Sequence, residues 1–137
     1  MSFRSDFLRR LPQVTADTFA AAALALFRYQ AAHCRPYAEY LAQLRRNPDA
    51  ISQLTDIPFL PIEFFKTHDV RTAPAEWTPQ EEFLSSGTTL QQRSRHQVRE
   101  PALYRENAAR IFEQYYGPLP GWTFLALLPS YLEQGQS

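Results

Sequence analysis

The sequence predicts an α/β fold in which N-terminal helices pack on the beginning of a mixed β-sheet. Three observations carry that expectation. Apolar residues recur at helical spacing in the first half of the chain and again after Pro101. Two short segments, 81–85 and 94–98, flank a run of hydroxyl residues around one glycine, as two strands of a hairpin with a long tip would. Finally, Trp122-Thr123-Phe124-Leu125-Ala126-Leu127-Leu128 lies between Gly121 and Pro129. A continuous apolar run of that length suits a strand buried on both faces, hence a parallel or mixed sheet covered by helices.

The elements follow in order. Phe3, Phe7 and Leu8 give residues 3–10 a short amphipathic helix or arm, interrupted by Pro12. Thr15 is an N-cap candidate for a helix over about 16–33, with the stripe Phe19, Ala22, Ala23, Leu26 and Phe27. Its few charges predict burial around much of its circumference, and its alanines allow a close neighbour. Pro36 suits the first turn of a second helix, with Tyr37, Tyr40, Leu41 and Leu44 on one face. Arg45 and Arg46 then fall in its last turn, at the negative end of the helix dipole, before Asn47-Pro48 ends it. His33 and Cys34 sit at the junction. Adjacent helical residues point about 100° apart, so the thiol reads as a small structural hydrophobe and not as half of a Cys–His pair.

Pro58 and Pro61 hold the stretch from Ile57 to Lys66 extended or in turns. Phe59, Leu60, Ile62, Phe64 and Phe65 mark it as a buried connector laid across the core. His68 reads as a surface or hydrogen-bonded residue, and Val70 as the start of a short strand. Pro101 opens a helix to about 116 with the stripe Tyr104, Ala108, Ile111, Phe112 and Tyr115, stopped by Gly117-Pro118. The expected organisation is one incomplete domain over 1–137. Residues 1–50 form a helical layer, 51–80 a Pro-rich connector, and 81–137 a hairpin, helix and core strand. One central strand with so few partners is expected to be the start of a sheet, so the chain is expected to be an N-terminal piece of a larger domain.

The hairpin carries the chemistry. Ser85, Ser86, Thr88 and Thr89 offer hydroxyl donors, and Gly87 lets backbone N–H groups approach a ligand as an anion-binding nest. Neither GxxxxGK[ST] nor GxGxxG is present. Arg93, Arg95 and Arg99 put local positive charge beside the loop, as a triphosphate requires. The same residues also suit a solvated turn with a solvated basic face.

Composition narrows the classes. A hydrophobic content of 45% in 137 residues supports a globular core, not a disordered chain. A formal net charge of zero gives no reason to expect nucleic acid or an anionic membrane as partner. The one cysteine, Cys34, excludes an internal disulfide and a multi-cysteine metal site, and a reducing cytoplasm fits it. No N-terminal apolar core suggests a signal peptide, and the Phe19–Phe27 run is far short of the roughly 20 residues a membrane span needs.

Three segments recur together in a known family. They are Ile57-Pro58-Phe59-Leu60-Pro61 with Phe65-Lys66, then Ser85-Ser86-Gly87-Thr88-Thr89 with Ser94-Arg95-His96, then Leu125 to Glu133 with Pro129-Ser130-Tyr131. In this order and spacing the chain, over about residues 15–135, resembles the acyl-protein synthetase family, the LuxE-like enzymes of bacterial luminescence and their non-luminous relatives. The resemblance implies part of an adenylate-forming domain. It implies ATP-dependent activation of a carboxylic acid, typically a fatty acid, to acyl-AMP and pyrophosphate with Mg²⁺, followed by acyl transfer to a thiol. Ser85, Ser86, Gly87, Thr88 and Thr89 would then bind the nucleotide phosphates, and Arg93 would stand in for the family's basic residue. Ser130 and Tyr131 would line the acyl pocket. Leu90 replaces the second loop glycine. The adenine-binding part, the Mg²⁺ ligands and the late cysteine are not in this chain, so it is expected to be inactive alone. The other expectation is a truncated or degenerate relative that binds a partner or a complementing chain.

Overall fold

The computed structural model describes residues 2–85 and 93–125. The chain divides into two compact units, Met1–Pro74 and Ala75–Ser137. The change falls inside the stretch expected to be a connector.

The first unit is helical. Helix α1 spans Phe3–Arg10, with the Ser2 hydroxyl accepting from the Ser5 N–H at 3.3 Å. A 3-10 turn at Leu11–Gln13 absorbs Pro12. Helix α2 spans Ala16–His33. Thr15 is its N-cap, and the Thr15 N–H donates to Thr18 Oγ1 at 2.9 Å, half of a capping box. Helix α3 spans Arg35–Gln43, with Cys34 as the elbow between the two.

One apolar stripe runs through that elbow. Phe27 and Ala31 of α2, Cys34, Tyr37 and Leu41 of α3, and Ile51 beyond it form the buried core. The steps of four, three, three and four residues keep these side chains on one face of each helix. Phe27 meets Tyr37 edge-on with ring centres 6.0 Å apart. Leu24, Tyr40, Ile57, Leu60 and Val70 pack around the cluster. Polar groups lock the edges. The Tyr37 hydroxyl donates to the Pro58 carbonyl at 2.6 Å, Arg28 Nη2 to the Ile51 carbonyl at 2.9 Å, and the Ala73 N–H to the His33 carbonyl at 2.8 Å. The last bond serves a helix-end carbonyl that has no partner within its own helix.

Four expectations for this unit are corrected. Helix α2 is buried only in its second half, and Phe19 is 55% exposed. The reason is length: α3 has 9 residues against 18 in α2, about 13 Å against 27 Å, so it covers only the half beside the elbow. Arg45 and Arg46 lie beyond α3, not in its last turn. Arg45 takes φ 53°, its N–H donates to the Ala42 carbonyl, and the Arg46 N–H donates to the Leu41 carbonyl, both at 3.0 Å. That is a Schellman cap with arginine at the left-handed position. The connector is only half buried. Leu60 packs on the core, while Phe59 is 84% exposed. Prolines hold this backbone extended, where neighbouring side chains point opposite ways. Its end coils into one helical turn, α4, at Phe64–Thr67. Val70 begins no strand and instead packs against the core.

The second unit contains strands β1, Glu81–Leu84, and β2, Arg95–Val98, paired antiparallel, and helix α5, Pro101–Tyr116. Gly117, at φ 83°, caps α5 in a conformation that side chains rarely adopt. The hairpin and both helix limits match the sequence expectation. The sheet is corrected: among the described residues it has two antiparallel strands, with no parallel neighbour. The core strand is corrected as well. Residues 122–125 are not in a strand, and Leu125 is 95% exposed. Local bonds win there. The Trp122 N–H closes a 3-10 turn onto Leu119 at 2.9 Å, and its indole N–H donates to the Tyr116 carbonyl at 3.1 Å. Trp122 and Phe124 then set their rings 5.6 and 5.4 Å from Phe112, which draws the segment along α5. Residues 126–128 of the expected strand lie outside the described residues. No described helix is long and apolar enough to cross a membrane.

Candidate phosphate-binding hairpin

The register of the hairpin sets which side chains share a face. Opposite pairs are Glu81 with Val98, Glu82 with Gln97, Phe83 with His96 and Leu84 with Arg95. Side chains of an antiparallel pair lie on the same face and alternate along the strand. Phe83 and His96 therefore share one face, their rings parallel to within 18°, and Tyr104 of α5 covers that face with its ring centre 5.7 Å from Phe83. Leu84 and Arg95 occupy the other face beside Glu82 and Gln97. The Gln97 amide donates weakly to Glu82 at 3.4 Å.

The two ends of the ladder differ. At the base, the Gln80 N–H donates to the Val98 carbonyl at 2.9 Å, and Arg105 pairs with Glu81 at 3.2 Å. At the mouth, Ser85 makes two bonds to Ser94. The Ser85 N–H donates to the Ser94 carbonyl at 3.0 Å, and the Ser85 hydroxyl oxygen accepts from the Ser94 N–H at 2.9 Å. Ser85 thus fixes where the loop leaves the strands. Its hydroxyl proton remains able to donate, but its oxygen is already engaged.

Of the predicted phosphate residues, Ser85 and Arg93 stand at this mouth. Ser86, Gly87, Thr88 and Thr89 lie outside the described residues, as do Leu90 and the expected pocket residues Ser130 and Tyr131. The three arginines do not form one cluster. Arg93 and Arg95 flank the mouth, with Arg95 opposite Leu84. Arg99 lies past the far end of β2, its guanidinium over the Trp77 ring at 5.8 Å. Arg99 is four residues on from Arg95, roughly 13 Å at the rise of an extended chain. The spacing in sequence hid this because period-two side chains share a face but not an end. The Trp77 contact was missed altogether, and an aromatic in a breaker-rich loop gives no signal of its partner.

The remaining reactive groups are accounted for locally. Cys34 is buried, and burial pushes its thiol up, away from the thiolate that nucleophilic chemistry needs. His33 is exposed and leans on the Tyr29 ring at 4.5 Å, so the two neighbours at the elbow part company. His68 stacks on Phe64 at 4.8 Å, and its Nδ1 lies 2.8 Å from the Thr67 hydroxyl. Among the described residues no group of three or more His, Cys, Asp or Glu is placed to hold a metal ion. No protein-family model, curated protein or solved structure matches this chain.

Proposed function

We propose that this chain is part of an ATP-dependent carboxylate-activating enzyme of the acyl-protein synthetase kind, and that its hairpin tip holds the nucleotide phosphates. The supporting observation is the mouth of the hairpin. Two strands in fixed register present a hydroxyl-rich, glycine-centred loop, Ser85 fastens its exit to Ser94, and Arg93 and Arg95 flank it. Backbone N–H groups and hydroxyls in a loop of this kind can take phosphate oxygens, and guanidinium groups neutralise the charge that grows on departing pyrophosphate. Mg²⁺ would arrive with ATP and supply charge neutralisation. This chain's part would be to bind and orient the phosphates. The acid substrate would be a fatty acid, with Ser130 and Tyr131 beside it.

A second reading has its own observation. The second unit exposes Ile111, Tyr115, Phe124 and Leu125. Isolated exposed hydrophobes are ordinary, but several on one short segment suit a partner surface. On that reading the chain is a non-catalytic binding or complementation module.

Calorimetry with Mg·ATP separates the two. The wild-type chain is expected to bind, and the Ser86→Ala/Thr88→Ala double variant is expected to lose at least tenfold in affinity. A folded chain that ignores Mg·ATP would remove the phosphate-loop reading and leave the partner-binding one.

A further inference from the structure

We propose a second ligand site, in the first unit and independent of the hairpin: a cleft between α1 and α2 that takes a small, flat aromatic carboxylate. Helix α1 is held to α2 at two places. Phe3 stacks on Tyr29 with ring centres 4.2 Å apart and planes within 17°, and the Leu11–Gln13 turn joins the helices at the other end. Between these ties lies a cleft of about 330 Å³. That volume is within the range of small-molecule sites and well above the voids that folded interiors leave unfilled.

The walls define the ligand. Phe7 and Leu11 face the gap from one side. Ala22 and Ala25, three residues apart on α2, form the other, and their side chains are too short to close it. A phenyl ring opposite a flat row of methyl groups fits a planar apolar body, with ring stacking on Phe7. At the rim stand Arg10 and Gln13. The Asp6 carboxylate is taken by Arg9 at 2.9 Å, and Arg10 gives only its Nε, to the Asp6 carbonyl at 3.3 Å. Among the described residues the two terminal nitrogens of Arg10 have no partner. A guanidinium with two free donors is matched by one carboxylate, held as a two-point pair. Charge complementarity therefore selects an anion, and the apolar walls select the body that carries it.

Equilibrium dialysis with 2-naphthoate tests this, beside uncharged 2-naphthalenemethanol. The folded wild-type chain is expected to bind naphthoate at a single site with Kd on the order of 0.1–1 mM, near the efficiency usual for a ligand of this size. The alcohol and the Arg10→Gln variant should each weaken binding by about tenfold. Ala25→Leu, which fills the cleft without breaking the helix, should abolish it, with circular dichroism showing that both variants remain helical. Naphthoate binding that is unchanged in both variants would place the ligand on exposed aromatics elsewhere and overturn the proposal. Absence of binding by the folded wild type would overturn it too.

Discussion

The two units of this chain spend their apolar residues differently. In the first, six residues close into one cluster through the α2–α3 elbow, and Leu41 is only 2% exposed. In the second, Val98 and Pro101 are the buried residues among those described, while Tyr115 is 78% exposed on a helix of 16 residues. Among the described residues the difference follows the geometry of the elements. An elbow brings two apolar stripes together over a short stretch of chain. A two-strand hairpin has one face to give to a helix, and the remaining stripe of α5 then faces outward. A paired hairpin of this size is marginal without further layers.

The sharpest way to break the comparison is to truncate one residue on each side of it. Leu41→Ala should cost about 2–5 kcal/mol, the usual range for a large buried aliphatic side chain, read as a lower urea midpoint. Tyr115→Ala should stay within about 0.5 kcal/mol. Equal costs would mean that the stripe of α5 is packed in solution, and the contrast between the units would fall.

A smaller effect sharpens the account of the first unit's core. Desolvation by burial pushes Tyr37 up to about 12. Its folded value lies above the ordinary value of 10, so the folded state holds this proton more tightly. The stability it contributes is fully present below pH 10 and is lost as pH rises towards 12. A tyrosinate also has no proton to donate to the Pro58 carbonyl. Tyr37→Phe should cost about 1–2 kcal/mol at neutral pH and should flatten the alkaline fall in stability, measured by urea unfolding at a series of pH values. A fall of unchanged size in the variant would assign it to another group.

The smallest expected effect is favourable. Arg45 occupies the left-handed position of the α3 cap at φ 53°. Glycine adopts that conformation without the steric cost that a side chain adds. Arg45→Gly should stabilise the chain by about 0.5–1 kcal/mol, seen as a small rise in Tm. A loss would show that the arginine side chain contributes more than its backbone costs.

Much of the fold was legible because its signals are local. Thr15 announces the start of α2, and Pro101 and Gly117 bracket α5. The hairpin followed from two strand-like segments around a glycine-centred loop. What was not legible depends on partners distant in sequence. An apolar run such as Trp122–Leu125 states that side chains avoid water. It does not state whether a neighbouring strand or the Phe112 ring receives them. Phe59 and Leu60 are equally apolar, yet only backbone direction decides which one points inward. At the candidate site, sequence placed Ser85 and Arg93 together at the mouth, but it also grouped Arg99 with them, because proximity along a strand does not separate its two ends.

The pair of hydrogen bonds between Ser85 and Ser94 has a consequence for how this hairpin can change. The clasp is made by Ser85 and Ser94 themselves, through one backbone–backbone and one backbone–hydroxyl bond, so it ties the strands at the mouth with groups that belong to the strand ends. Substitutions, or a transplanted loop with the same serine ends, should leave Phe83 opposite His96 and Tyr104 against that pair. Selection can therefore act on the tip's chemistry while the scaffold beneath it stays constant.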